Sequence, residues 1–90
     1  MISLTDGATV NLGKDPKIAH LVLSRDYSKV SRMHCTVNYS EKSGKYFVTD
    51  CSSNGTYLKN KHRLPKGVRT PVLPGTLLLL ADNDCKVELL

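Results

Sequence analysis

The chain has 90 residues, with 13 Lys plus Arg against 8 Asp plus Glu, a formal net charge of +5 and 40% hydrophobic residues. That is enough for one packed core and too little for a second, and the balance is globular rather than disordered or fibrous. The longest apolar stretch, Leu77 to Ala81, falls far short of the roughly 20 residues of a membrane span, and no apolar run follows a basic start as in a secretory signal. A membrane-inserted segment, collagen, a coiled coil and a disulfide knot are thereby excluded.

Short apolar segments separated by turn chemistry run along the chain, which predicts strands. Met1 to Leu4 and Thr9 to Leu12 flank Asp6-Gly7, a favoured tight-turn pair, and predict an opening hairpin. Asp15-Pro16 has the form of a helix N-cap followed by proline, and Ile18, Leu21 and Val22 fall near helical spacing. Leu21-Val22-Leu23 is an unbroken apolar triplet, however, and the periodic run is barely two turns, so a turn followed by a short strand is the preferred reading. Cys35 to Ser40 alternates, with Cys35, Val37 and Tyr39 on one face. Tyr46 to Thr49 follows across Glu41-Lys42-Ser43-Gly44 as the second arm of a hairpin, and Thr56-Tyr57-Leu58 comes directly after Asn54-Gly55. From Leu64 to Gly75 the prolines Pro65, Pro71 and Pro74 exclude a central strand over most of the length. Thr76 to Ala81 and Cys85 to Leu90 bracket Asp82-Asn83-Asp84 as a last hairpin, with Cys85, Val87 and Leu89 sharing a face. The predicted architecture is all-β, an antiparallel sandwich of many short strands with binding loops at one end.

Cys35, Cys51 and Cys85 leave one odd thiol under any pairing, and none belongs to a CxxC pair. They read as small buried hydrophobes in a reducing compartment. A zinc site built from them with His20, His34 or His62 would need scattered ligands to converge, so no metal is expected. The basic residues are dispersed over the chain rather than bunched, and most read as solvated surface.

Three loops carry small, hydroxylated or cationic residues: Gly13-Lys14, Ser31-Arg32-Met33-His34 and Ser52-Ser53-Asn54-Gly55-Thr56. A phosphate dianion calls for several short donors plus fixed positive charge, which hydroxyls, backbone N–H groups, Lys and Arg supply. Singly each loop is a turn; together they suggest an anion receptor.

These same residues resemble the forkhead-associated (FHA) domain family, whose members are phosphothreonine-reading β-sandwiches. Leu12-Gly13-Lys14 stands where that family has apolar-Gly-Arg, Ser31-Arg32-Met33-His34 matches its Ser-Arg-x-His, and Asp50 to Thr56 matches its Asp-x-Ser-x-Asn-Gly-Thr. Leu73-Pro74-Gly75 fits the family's late Leu-x-Gly step, and the similarity runs from about Ile2 to Leu90. The resemblance implies a single domain over residues 1–90 and a set of roles. Ser31 meets the phosphate, Arg32 adds a cationic contact, Ser53 donates to the phosphate or shapes the niche for the threonine methyl, and Asn54 bonds the ligand main chain. His34 braces the loops from below, and Gly13, Gly55 and Thr56 are structural.

Two departures stand out. Lys14 replaces the phosphate-contacting arginine, keeping the charge and losing the planar fork. Lys59-Asn60 replaces a common Asn-Gly, which moves or removes another ligand contact. The family also usually begins one strand earlier than Ile2 to Leu4, consistent with a module trimmed from a larger protein or an edge covered by something else.

The implied function is non-catalytic binding of phosphothreonine-containing peptides, without a cofactor, in the cytoplasm or on the cytoplasmic face of a tethered protein. The alternative keeps the fold and drops the phosphate: a docking or oligomerising module. A nucleic-acid binder, suggested by pI ≈ 9.3, lacks the usual stacking surface, because Phe47 and the four Tyr fall mostly in strand positions that read as buried and Trp is absent. Catalysis is disfavoured: His34-Cys35 are successive strand residues facing opposite ways, and no P-loop or paired-carboxylate spacing occurs.

Overall fold

The computed structural model describes residues 7–23, 27–81 and 85–90. Among these residues there are eight strands and no helix: β1 (Thr9–Gly13), β2 (Leu21–Val22), β3 (Cys35–Ser40), β4 (Lys45–Asp50), β5 (Thr56–Leu58), β6 (Thr70–Val72), β7 (Leu77–Leu80) and β8 (Cys85–Glu88). They form a five-stranded sheet ordered β2-β1-β3-β4-β6 and a three-stranded sheet ordered β5-β7-β8. All pairings are antiparallel except β1 with β2, which run parallel with Leu12 opposite Leu21.

The two sheets meet as a β-sandwich because the period-2 pattern gives each one an apolar inner face. Leu12, Cys35, Val37, Tyr46, Val48 and Val72 come from the larger sheet; Leu78, Leu80, Cys85, Val87 and Leu89 close over them from the smaller one and its end. Val30 and Leu64 enter this core from loops. The alternation expected for Cys35 to Ser40 is present, with Cys35 and Val37 fully buried, and Cys85, Val87 and Leu89 share the inner face as expected.

Asp15-Pro16 initiates a turn rather than a helix: the Asp15 carboxylate accepts the Lys17 N–H at 2.9 Å, and the chain then enters the short strand β2. Leu21 and Val22 are exposed, so the apolar triplet marks an edge strand and not a core element. Pro71 lies within β6, opposite Phe47, at the edge of the sheet, where a missing N–H is tolerated. The predicted arm Met1 to Leu4 and the turn Asp82-Asn83-Asp84 lie outside the described residues.

Two burial expectations need correction. Cys51 is exposed, because it follows the last residue of β4 where the chain leaves the sheet; only Cys35 and Cys85 are buried. Of the aromatic rings only Tyr46 is fully buried. Phe47 faces outward from β4, half-covered by the Arg69 guanidinium 3.8 Å from its ring centroid.

Candidate functional site

The three loops singled out in the sequence leave the ends of β1 and β4 and lead into β3. Their approach is set by Gly13. A Cβ there would stand 1.9 Å from the Arg32 carbonyl oxygen, so only glycine lets the end of β1 lie this close to the 31–33 segment. Three backbone bonds exploit that contact: Lys14 N–H to Ser31 O at 3.2 Å, Asp15 N–H to Arg32 O at 3.2 Å, and His34 N–H to Leu12 O at 2.7 Å.

His34 ties this pair of loops to the third. Its ring is fully buried; Nδ1 accepts the Ser31 N–H at 3.1 Å, and Nε2 stands 2.8 Å from the Gly55 carbonyl oxygen. Since Nδ1 accepts, the proton resides on Nε2 and is donated to Gly55, which defines one neutral tautomer. Burial lowers the imidazole's pKa below its ordinary value, opposed by the Gly55 hydrogen bond and the charge of Asp50.

The third loop is organised around the buried Asp50. One carboxylate oxygen accepts from Ser52 N–H at 3.1 Å, Ser52 Oγ at 2.6 Å and Thr56 Oγ1 at 2.9 Å. The Ser52 hydroxyl accepts in turn from Gly55 N–H at 2.8 Å. Asp and Ser two residues apart form an Asx turn, and the whole network holds the 51–55 backbone from inside. Gly55 adopts φ 97°, and a Cβ on it would approach the Arg63 side chain and the Tyr57 ring within 3.0 Å.

With that frame in place, the sequence-selected residues converge unevenly. Ser31 Oγ accepts the Ser53 N–H at 3.2 Å, so two of the loops touch at their polar tips. Ser31, Arg32 and Ser53 line one open groove of about 490 Å³, together with Asp15, Ile18, Met33 and Cys51. An adjoining groove of about 360 Å³ is lined by Lys14, Asp15, Pro16 and Arg32. The two share Asp15 and Arg32 as walls.

Lys14 does not line the groove of Ser31 and Ser53. Its Nζ donates to the Tyr27 carbonyl at 3.0 Å. The Asn54 amide likewise donates across the loops, to Lys29 O at 2.8 Å.

Sequence reasoning missed Asp15, Ile18, Met33 and Cys51 as groove walls. None carries a local signature for that position. The Asp50–Ser52–Thr56 network was legible in principle, because an acid followed by hydroxyls two and six residues on is a side-chain turn pattern. At β3, Cys35 lies fully buried beside Asp50, and burial first, then that carboxylate, pushes its thiol up to about 12. Such a thiol is no nucleophile at neutral pH.

Comparison with known proteins follows the same outline. A model of the FHA domain matches residues 5–81. The structure is similar to the FHA domain of the CT664 protein from Chlamydia trachomatis, with a TM-score of 0.73 and 23% identity over 86% of this chain and 72% of that one. It is similar to the MEK1 FHA domain in complex with a phosphothreonine peptide of HOP1, at TM-score 0.72 and 28% identity, covering 87% of this chain and 78% of that one. A third similar structure is the N-terminal FHA domain of S. cerevisiae Rad53p with a phosphothreonine peptide, at TM-score 0.65 and 24% identity, covering 79% and 54% of the two chains. No curated protein sequence matches.

Proposed function

The chain belongs to the FHA domain family, and from that membership we propose that it is a non-catalytic module binding phosphothreonine-containing peptides through the loops around Lys14, Ser31-Arg32 and Ser53-Asn54. The observation that carries this reading is the bond from Ser53 N–H to Ser31 Oγ, which brings two hydroxylated loops together beside Arg32 in one groove. A phosphate of −1.5 to −2 charges finds hydroxyl donors and a guanidinium within a single concavity there. About three charge-assisted bonds, less the cost of ordering a flexible peptide, correspond to roughly micromolar affinity. Ile18 and Met33 supply the apolar wall that a threonine methyl requires and a serine does not use. Residues 1–90 act as one unit in this reading, and kinase-made ligands together with free thiols favour a cytoplasmic setting.

Matched peptides carrying phosphothreonine, phosphoserine or plain threonine test the reading by titration. Phosphothreonine is expected to bind tightest, and equal binding of all three overturns it.

One observation favours a phosphate-independent docking module instead: the Lys14 ammonium is engaged by Tyr27 O. Under that reading, partner binding survives both phosphatase treatment and the double change Lys14→Ala with Ser31→Ala. Under the phosphothreonine reading it is lost in each case.

A further inference from the structure

The turn at residues 27–30, between β2 and β3, is pinned from inside: Val30 is buried in the core, and its N–H bonds Tyr27 O at 3.0 Å. From outside it is gripped by two residues of the candidate site. Lys14 Nζ donates to Tyr27 O at 3.0 Å, and the Asn54 amide donates to Lys29 O at 2.8 Å. Ser28 stands between those two carbonyls in the chain and is exposed. Its backbone is therefore held in place while its hydroxyl is open to an incoming enzyme. Covalent geometry bounds its distance from Lys14. A carbonyl oxygen lies about 3 Å from the next Cα, so the Lys14 ammonium is within about 6 Å of the Ser28 Cα. A phosphate on the Ser28 hydroxyl extends roughly 4–5 Å from that Cα, enough to meet the ammonium with the backbone unmoved.

We propose that Ser28 is a phosphorylation site whose phosphate engages Lys14 and weakens peptide binding at the neighbouring loops. Its effect on binding rests on the phosphothreonine reading, to which it adds a control of the same receptor. The sequence around the acceptor is basic, with Arg25 three residues ahead and Lys29 directly after, a form that Ser/Thr kinases with acidic substrate clefts accept. In the transfer the Ser28 oxygen bonds the γ-phosphorus of ATP and the bond from that phosphorus to the β,γ-bridging oxygen breaks. ADP leaves, and the hydroxyl proton passes to the kinase. The product carries −1.5 to −2 charges and three strong acceptor oxygens. Against a neutral carbonyl, the Lys14 ammonium gains by turning to that phosphate, and the Asn54 amide finds a second acceptor beside Lys29 O. Lys14 lines a groove with Arg32, and Arg32 also walls the groove of Ser31 and Ser53. A ligand phosphate arriving there meets an engaged cation and a new negative charge within about a Debye length.

Three measurements on the full 90-residue chain test this. Incubation with ATP and a Ser/Thr kinase that selects arginine three residues before its serine is expected to place a phosphate on Ser28, mapped by mass spectrometry. Ser28→Ala lacks that phosphate and binds a phosphothreonine peptide as the parent does. Phosphorus NMR reads the pairing: the phosphoserine titrates at lower pH in the parent than in Lys14→Gln, because a nearby ammonium favours the dianion. Fluorescence polarisation reads the consequence. A phosphothreonine peptide is expected to bind the Ser28-phosphorylated chain about threefold to tenfold more weakly than the unmodified one, and phosphorylation costs less in the Lys14→Gln background. No phosphate on Ser28, a phosphoserine that titrates alike with and without Lys14, or a peptide affinity unchanged by phosphorylation each overturns the proposal. An unmodified chain that binds phosphothreonine peptide no better than plain threonine peptide defeats the phosphothreonine reading itself. The pairing of Ser28 phosphate with Lys14 is then still decided by the NMR titration, so the two failures are distinct.

Discussion

Replacing His34 with Ala deletes the ring that joins the 31–34 and 52–55 segments. Two backbone groups then lose their partners, the part-buried Ser31 N–H at 3.1 Å and the buried Gly55 carbonyl at 2.8 Å. Each stranded group costs about 1–3 kcal/mol, and a domain of this length has a total stability of roughly 5–14 kcal/mol. The expected loss is about 3–5 kcal/mol, a large share of the whole, read as a lowered urea midpoint with an unchanged slope. A loss below about 1 kcal/mol refutes the brace. The same ring gives a pH signature with a definite sign. Burial lowers its pKa in the folded chain, while the unfolded chain titrates near the ordinary value of 6.5. Between the two the unfolded state holds more protons, so this contribution is complete above about pH 6.5 and is lost as pH falls toward the folded value. The slope is at most about 1.4 kcal/mol per pH unit. His34→Gln has no titrating ring, so the stability difference between parent and variant must shrink as pH drops from about 7 to about 5. A difference that stays constant means His34 is not held neutral.

Gly13→Ala forces a Cβ into the space of the Arg32 carbonyl oxygen, 1.9 Å from where it would stand. Overpacking of about 1–3 kcal/mol is expected in thermal or urea unfolding, together with at least a tenfold loss of phosphothreonine-peptide affinity as the loops part. Thiol titration of the native chain is expected to modify Cys51 fast and to leave Cys35 unreactive, since Cys51 is exposed and the Cys35 thiol is raised to about 12. Rapid modification of Cys35 in the folded protein contradicts its assigned surroundings.

Local patterns disclosed most of the strand framework, for a physical reason. A strand with one buried face writes its orientation into every second residue, as Cys35, Val37 and Tyr46, Val48 do on neighbouring strands. The same logic breaks where tertiary context overrides it. Leu21 and Val22 are apolar yet exposed, because β2 pairs at the outer edge of the sheet, and Cys51 is exposed because the chain turns away after Asp50. At the site, Ser31, Arg32 and Ser53 were recognisable by their chemistry, and they line a common groove. What no local window could contain were contacts between distant segments: the Lys14 ammonium on Tyr27 O, the Asn54 amide on Lys29 O, and the return of Arg63 to Gly55. Those bonds span loops, and their existence depends on the packing of the whole sandwich.

Pro71 sits within β6, an outermost strand of the larger sheet. A foreign strand that tried to extend the sheet on that side would meet a gap in the ladder, since proline has no hydrogen to give. Aggregation through this flank is thereby obstructed by covalent structure alone. One edge of the larger sheet is thus closed to strand addition by a residue already in it.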